Sequence, residues 1–118
     1  MSGVAYKLVE RADWEAARGA GAYAGSAVDR VDGYIHMSSA GQVAETARRH
    51  YAGRPDLVLA TVELARLGPA LRWEASRGGE LFPHLYGPLP MAAVTAERAL
   101  SVRDDGVMAF EDGAVGWP

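Results

Sequence analysis

The chain has no cysteine, which at once removes disulfides, thiolate metal ligands and a cysteine nucleophile. Long apolar runs are missing too: no stretch approaches the roughly 18 apolar residues of a membrane-crossing helix. An excess of positive charge is also lacking, because twelve basic residues face fifteen acidic ones for a net charge of −3. Nucleic acid is therefore not an expected partner, and Arg48, Arg49 and Arg54 read as an exposed helix end. Met1-Ser2-Gly3-Val4 has neither the basic nor the apolar region of a signal peptide, so the expected location is the cytoplasm. No Gly-x-Gly-x-x-Gly follows the first strand, and neither a phosphate loop nor a Gly-x-Ser-x-Gly elbow occurs. Dinucleotide, P-loop and serine-hydrolase sites of the standard kinds thus have no support.

What is present fits one domain. The 118 residues are 49% hydrophobic and 23% charged, enough to fold around a core without a metal or disulfide. Val4 to Val9 reads as a strand and Ala12 to Arg18 as a helix anchored by Trp14 and stopped by Gly19 and Gly21. Residues 22–32 read as a loop. Gly33 to Ser38 is a second strand candidate, with Ile35 and Met37 on its core face and Tyr34, His36 and Ser38 on the other. Ser39 and Gln42 form a capping-box pattern for a second helix reaching Tyr51, with Val43, Ala47 and Tyr51 as its buried stripe. Leu57 to Leu64 is apolar nearly throughout and reads as a central strand. Leu71 to Ala75 and Thr95 to Val102 are further strands, and Met91 to Val94 a short turn or helix. Early helices and late strands imply an α+β fold of mixed, largely antiparallel structure, with two helices in the N-terminal half. The domain is expected over residues 1–102. Residues 103–118 form an extension, with Val107 to Phe110 as an edge strand or part of a mobile tail.

Phe82-Pro83-His84-Leu85-Tyr86-Gly87-Pro88-Leu89-Pro90 is the most informative stretch. Three prolines and a glycine forbid a regular helix and predict a stiff loop. In an extended backbone His84 and Tyr86 point to the same side, which makes the stretch either a ligand-site wall or a structural corner. Residues with chemical potential elsewhere are His36, Ser38, Ser39, Glu74 and Glu80, with Lys7, Arg11 and Arg72 as anion binders. His36, His84 and Glu74 also make up a possible three-ligand metal set, but no local His-x-x-x-His pair supports it, and no metal is expected. The strand-to-helix junction at Ser38-Ser39 offers hydroxyls and free N–H groups to an anion or a sugar, and Ser39 is equally a helix cap.

Several segments together resemble the bacterial domain-of-unknown-function family 952. They are Tyr6-Lys7-Leu8, Arg11-Ala12-Asp13-Trp14, Asp32-Gly33-Tyr34-Ile35-His36-Met37-Ser38, Asp56-Leu57-Val58-Leu59, Arg72-Trp73-Glu74 and Phe82 through Leu89. The resemblance implies a compact relative of the ADP-ribosyltransferase fold, with a cleft that holds a nucleotide, NAD as a substrate among the candidates. It implies Glu74 as the carboxylate that stabilises an oxocarbenium-like transition state. His36 and His84 follow as binding or acid–base groups, and Lys7, Ser38, Ser39, Arg72 and Tyr86 as ligand contacts. Lys7 departs from the histidine that many members of the wider fold place on the first strand. Three other readings stay open: a ligand-binding module without turnover, a metal-dependent hydrolase, and a structural or interaction protein whose polar cluster only locks the loop.

Overall fold

A computed structural model describes residues 3–117. Among the described residues three α-helices and nine strands follow one another as β1 (Val4–Glu10), α1 (Arg11–Ala20), β2 (Ala22–Tyr23), α2 (Ala27–Asp32), β3 (Ile35–His36), α3 (Val43–His50), β4 (Leu57–Glu63), β5 (Leu71–Ala75), β6 (Leu81–Leu85), β7 (Leu89–Pro90), β8 (Val94–Val102) and β9 (Met108–Phe110). The class is α+β, and every named strand pair is antiparallel. A four-stranded sheet has the order β1-β4-β8-β9, a three-stranded sheet the order β3-β6-β5, and β2 pairs with β7.

The alternation of β4 organises the core. Leu57 and Leu59 join one buried cluster with Leu8, Leu100, Val102, Met108, Phe110 and the apolar stripe of α3. Val58, Ala60 and Val62 project to the other side, where Trp14 and Ala17 of α1 meet Ile35 and Leu85 from the smaller sheet and Met37 just after β3. With two covered faces, β4 reads as a continuous apolar run. β1 alternates in the same way, with Leu8 in the first cluster and Ala5 and Val9 in the second. Lys7 lies between Ala5 and Val9 and therefore shares their side, aimed at the smaller sheet.

Three expectations are corrected. Residues 22–32 are not a loop: they hold β2 and a third helix, α2, whose N-cap Ser26 and residue Asp29 form a complete capping box. The 82–90 stretch is not simply a loop, because Leu81–Leu85 is the middle strand of the smaller sheet. Pro83 is tolerated there by its position. The Met37 N–H donates to the Pro83 carbonyl at 3.1 Å, and Pro83 has no N–H to return. The pairing of β3 with β6 therefore ends at its second residue, and the Gly33–Ser38 strand shrinks to Ile35–His36. Finally, α3 starts at Val43, with Ser39–Gln42 forming the turn before it. Gln42 completes only one half of the expected box, accepting the Ser39 N–H at 3.0 Å, and it donates to the Leu81 carbonyl at 2.7 Å.

Beyond β3 the chain is stitched to the larger sheet by one bridge, Tyr6 N–H to Ser38 O at 2.7 Å and Ser38 N–H to Tyr6 O at 2.9 Å. This bridge sets the two sheets side by side and brings Lys7 under the polar face of the smaller one. The C-terminal segment packs back as well. β9 pairs with β8, and the Trp117 indole N–H donates to the Ala40 carbonyl at 2.8 Å.

Candidate functional site

The smaller sheet gathers the sequence candidates on one face. His36 is directly opposite His84 on β6, and His84 is opposite Arg72 on β5. Residues facing each other across a ladder share a side, as do residues two apart on one strand. Tyr34 and His36, then His84 and Tyr86, then Arg72 and Glu74 thus form three adjacent polar rows.

Each imidazole is held at Nδ1 by a carboxylate. His84 Nδ1 lies 2.9 Å from Glu74 Oε1, and the Tyr86 hydroxyl donates to the same oxygen at 2.7 Å. These two bonds hold Glu74 below the usual carboxylate range, with the nearby charge of Arg72 adding to them. The second Glu74 oxygen has no hydrogen-bond partner among the described residues, and the side chain is 35% exposed. His36 Nδ1 lies 2.6 Å from Asp29 Oδ1, and its Nε2 lies 2.9 Å from Asp32 Oδ2. His36 is thus held at both ring nitrogens, whereas His84 is held only at Nδ1 and keeps Nε2 without a carboxylate, the nitrogen through which an imidazole can meet a ligand.

Asp29 is the buried centre of this arrangement. It accepts from the Ser26 N–H at 2.9 Å, the His36 N–H at 3.1 Å, the His36 ring and the Lys7 ammonium at 3.0 Å. Burial alone would raise its pKa, yet the His36 bond, the Lys7 charge and the two backbone donors together hold it well below the ordinary value. Lys7 is buried as well. Its pKa is lowered by burial, while Asp29 opposes the shift. The ammonium therefore serves to neutralise Asp29 and is turned away from solvent.

Tyr34 covers the two histidines. Its ring stacks on His84 at 4.1 Å and 28°, and lies 4.5 Å from His36 and 5.2 Å from Tyr86. The His36 and His84 rings are 5.6 Å apart, and His84 is only 2% exposed beneath this cover. A cavity of about 360 Å³ opens on the far side of Tyr34, lined by Asp29, Arg30, Gly87 and Pro88 among others. A larger open groove of about 570 Å³ lies between residues 53–55 and 101–105 and contains none of the candidates.

The structure therefore brings together His36, Glu74, His84 and Tyr86, with Arg72 beside them and Lys7 below. It does not bring in the two serines. The Ser38 hydroxyl is 2.8 Å from the Thr46 hydroxyl and buried, and Ser39 serves the turn before α3. Among the described residues no group of three His, Asp or Glu side chains is placed to hold a metal ion, so the metal-hydrolase reading gains no support. Sequence reasoning missed Asp29, Asp32 and the covering role of Tyr34. The one available signal was Ser26-x-x-Asp29, a capping pattern that would have put a helix where a loop was expected.

Residues 8–97 match the family described as "Protein of unknown function (DUF952)". The crystal structure of protein CC0527 from Caulobacter crescentus is similar to this chain. Identity is 49% over 90% of this chain and 93% of that one, with a TM-score of 0.86. The solution NMR structure of CC0527 gives 50% identity over 87% and 89%, with a TM-score of 0.77. No curated protein matches.

Proposed function

The chain belongs to the DUF952 family, whose description names no activity, and we propose that the cluster around Tyr34 is a nucleotide site. In this reading the fold is of the ADP-ribosyltransferase kind, and the site cleaves or transfers at the glycosidic bond of a ligand such as NAD. The observation that carries it is the convergence of two carboxylate-anchored imidazoles, His36 with Asp29 and His84 with Glu74, beneath one aromatic ring. The chemistry then follows from the groups. A planar base stacks against Tyr34 and Tyr86. As the carbon–nitrogen bond breaks, its electron pair leaves with the base and positive charge grows at the anomeric carbon. The anionic Glu74, with one oxygen free, stabilises that charge. A hydroxyl or water attacks the carbon and loses its proton to His84 Nε2, the ring nitrogen that holds no carboxylate.

The test is titration calorimetry with NAD followed by an assay of nicotinamide release. The expected outcome is binding, with turnover that drops about 10²–10³-fold in Glu74→Gln while binding persists, the scale of losing one electrostatic contact to a transition state. Unchanged turnover in that variant would remove Glu74 from the role, and absence of NAD binding would remove the reading.

One observation favours a second reading, a ligand-binding module without turnover. The first-strand position is a lysine spent on Asp29 and so unavailable to a ligand. NAD binding with no nicotinamide release selects it.

A further inference from the structure

Eleven arginines and one lysine make up the twelve basic residues of a chain in which carboxylates are in excess. Eight of those arginines hold a carboxylate within salt-bridge distance. Among the described residues the three that do not are Arg30, Arg72 and Arg77; Arg30 and Arg72 border the Tyr34 cluster, and Arg77 lies two residues further along β6, at Phe82. Arg30 donates to the Gly25 carbonyl and lines the cavity beside Tyr34. The Arg72 guanidinium lies 5.1 Å from the Tyr86 ring centre, and that of Arg77 lies 4.8 Å from the Phe82 ring centre.

Phe82 and His84 on β6 and Tyr86 just after it alternate along one face. Arg72 and Arg77 therefore flank His84 from its two ends, over side chains about 13 Å apart at roughly 3.3 Å per residue. A guanidinium placed over an aromatic ring keeps N–H groups for paired bonds to an oxyanion. A guanidinium resting over a ring and holding no carboxylate in a salt bridge is available to such a ligand, since no bound partner must be given up.

We infer that Arg72 and Arg77 form a rail that selects ligands carrying a diphosphate and holds that group along the outer edge of β6 between Tyr86 and Phe82, with the base of the ligand on the Tyr34 side. This deepens the nucleotide reading by naming the charged part of the ligand and the residues that recognise it. It rests on that reading only for the position of the base.

The experiment titrates the whole chain with adenosine, AMP, ADP and inorganic pyrophosphate in a buffer free of phosphate and sulfate. Calorimetry gives affinities, and amide NMR shifts locate the site. ADP is expected to bind at least tenfold more tightly than adenosine, and pyrophosphate alone to shift the amides of residues 72, 77 and 84. Arg72→Met and Arg77→Met keep the apolar stem over the ring. Each is expected to weaken ADP and pyrophosphate at least tenfold, to leave any adenosine binding unchanged, and to keep the melting temperature. Equal affinities for ADP and adenosine would overturn the rail, as would wild-type affinity for ADP in both variants or no binding of either ADP or pyrophosphate. If pyrophosphate binds at the rail while NAD and adenosine do not, the rail stands and the nucleotide reading falls.

Discussion

Asp29 is 2% exposed and carries a full charge, and a buried carboxylate survives only with its partners in place. Its four donors come from the N-cap Ser26, from His36 and from β1, so one side chain ties three parts of the chain together. Removing one partner of a buried pair costs about 3–5 kcal/mol, and Asp29→Asn is expected to lower stability by about that much in urea unfolding. The acid side carries a further signature. The folded pKa of Asp29 lies below its unfolded value, which is about 3.9 for an aspartate. Its contribution is therefore fully present above that pH and is lost as the pH falls toward the folded value. Urea midpoints measured from pH 5 to pH 2 are expected to fall more steeply in the wild type than in Asp29→Asn; matching slopes would show that other carboxylates carry the acid response. At this scale the sequence was partly legible. His84 and Tyr86 share a face whether the segment is loop or strand, because extended backbone alternates in either case. Asp29 was not legible, because its role depends on Lys7, a residue 22 positions away.

The least legible element was α2. It has six residues, and Val28 and Val31 are 64% and 85% exposed, so no apolar stripe marks it as a helix. Its formation relies on its ends, on Ser26 at the N-cap and on Gly33 in the left-handed region after its last turn. Gly25, just before it, is constrained too: at φ +102 a Cβ would come within 2.9 Å of the Asp29 Cβ. Loss of a serine cap costs about 1 kcal/mol. In Ser26→Ala that loss is expected to appear as faster amide exchange in α2 and at His36, with β4 unchanged. Uniform acceleration across all strands would mean that α2 has no independent stability. β4, by contrast, was readable at once, because a run with six apolar residues among the eight of 57–64 suits a strand covered on both faces.

Across the whole molecule, the larger sheet supplies most of the core and the smaller one presents the site. The Tyr6–Ser38 bridge and the Lys7–Asp29 pair join them. The last residues reinforce the larger sheet. Met108 and Phe110 are buried with Leu57, Leu59 and Leu100, and Arg98 stacks on Phe110 at 3.7 Å. Truncating a buried phenylalanine costs about 3–5 kcal/mol. Phe110→Ala is expected to shift the single unfolding transition by that amount, and a loss under about 1 kcal/mol would separate the segment after Val102 from the folded unit. Glycines and prolines in this segment hid its packing from a reading based on composition, since its few apolar residues act through partners distant in sequence.

The proline in the middle of β6 has a consequence for how the two histidines meet. Short strands are prone to sliding along one another, and a slip of one residue would turn His36 to the opposite side. A slip of two would keep the side but lose the partner. In the native alignment the missing N–H of Pro83 falls at the end of the β3 ladder, where it costs only the return bond to Met37. Any alignment that lengthened the ladder past this point would place the bare nitrogen inside it and sacrifice a hydrogen bond. Pro83 thus acts as a stop that fixes the alignment of a two-residue strand, and with it the meeting of His36 and His84.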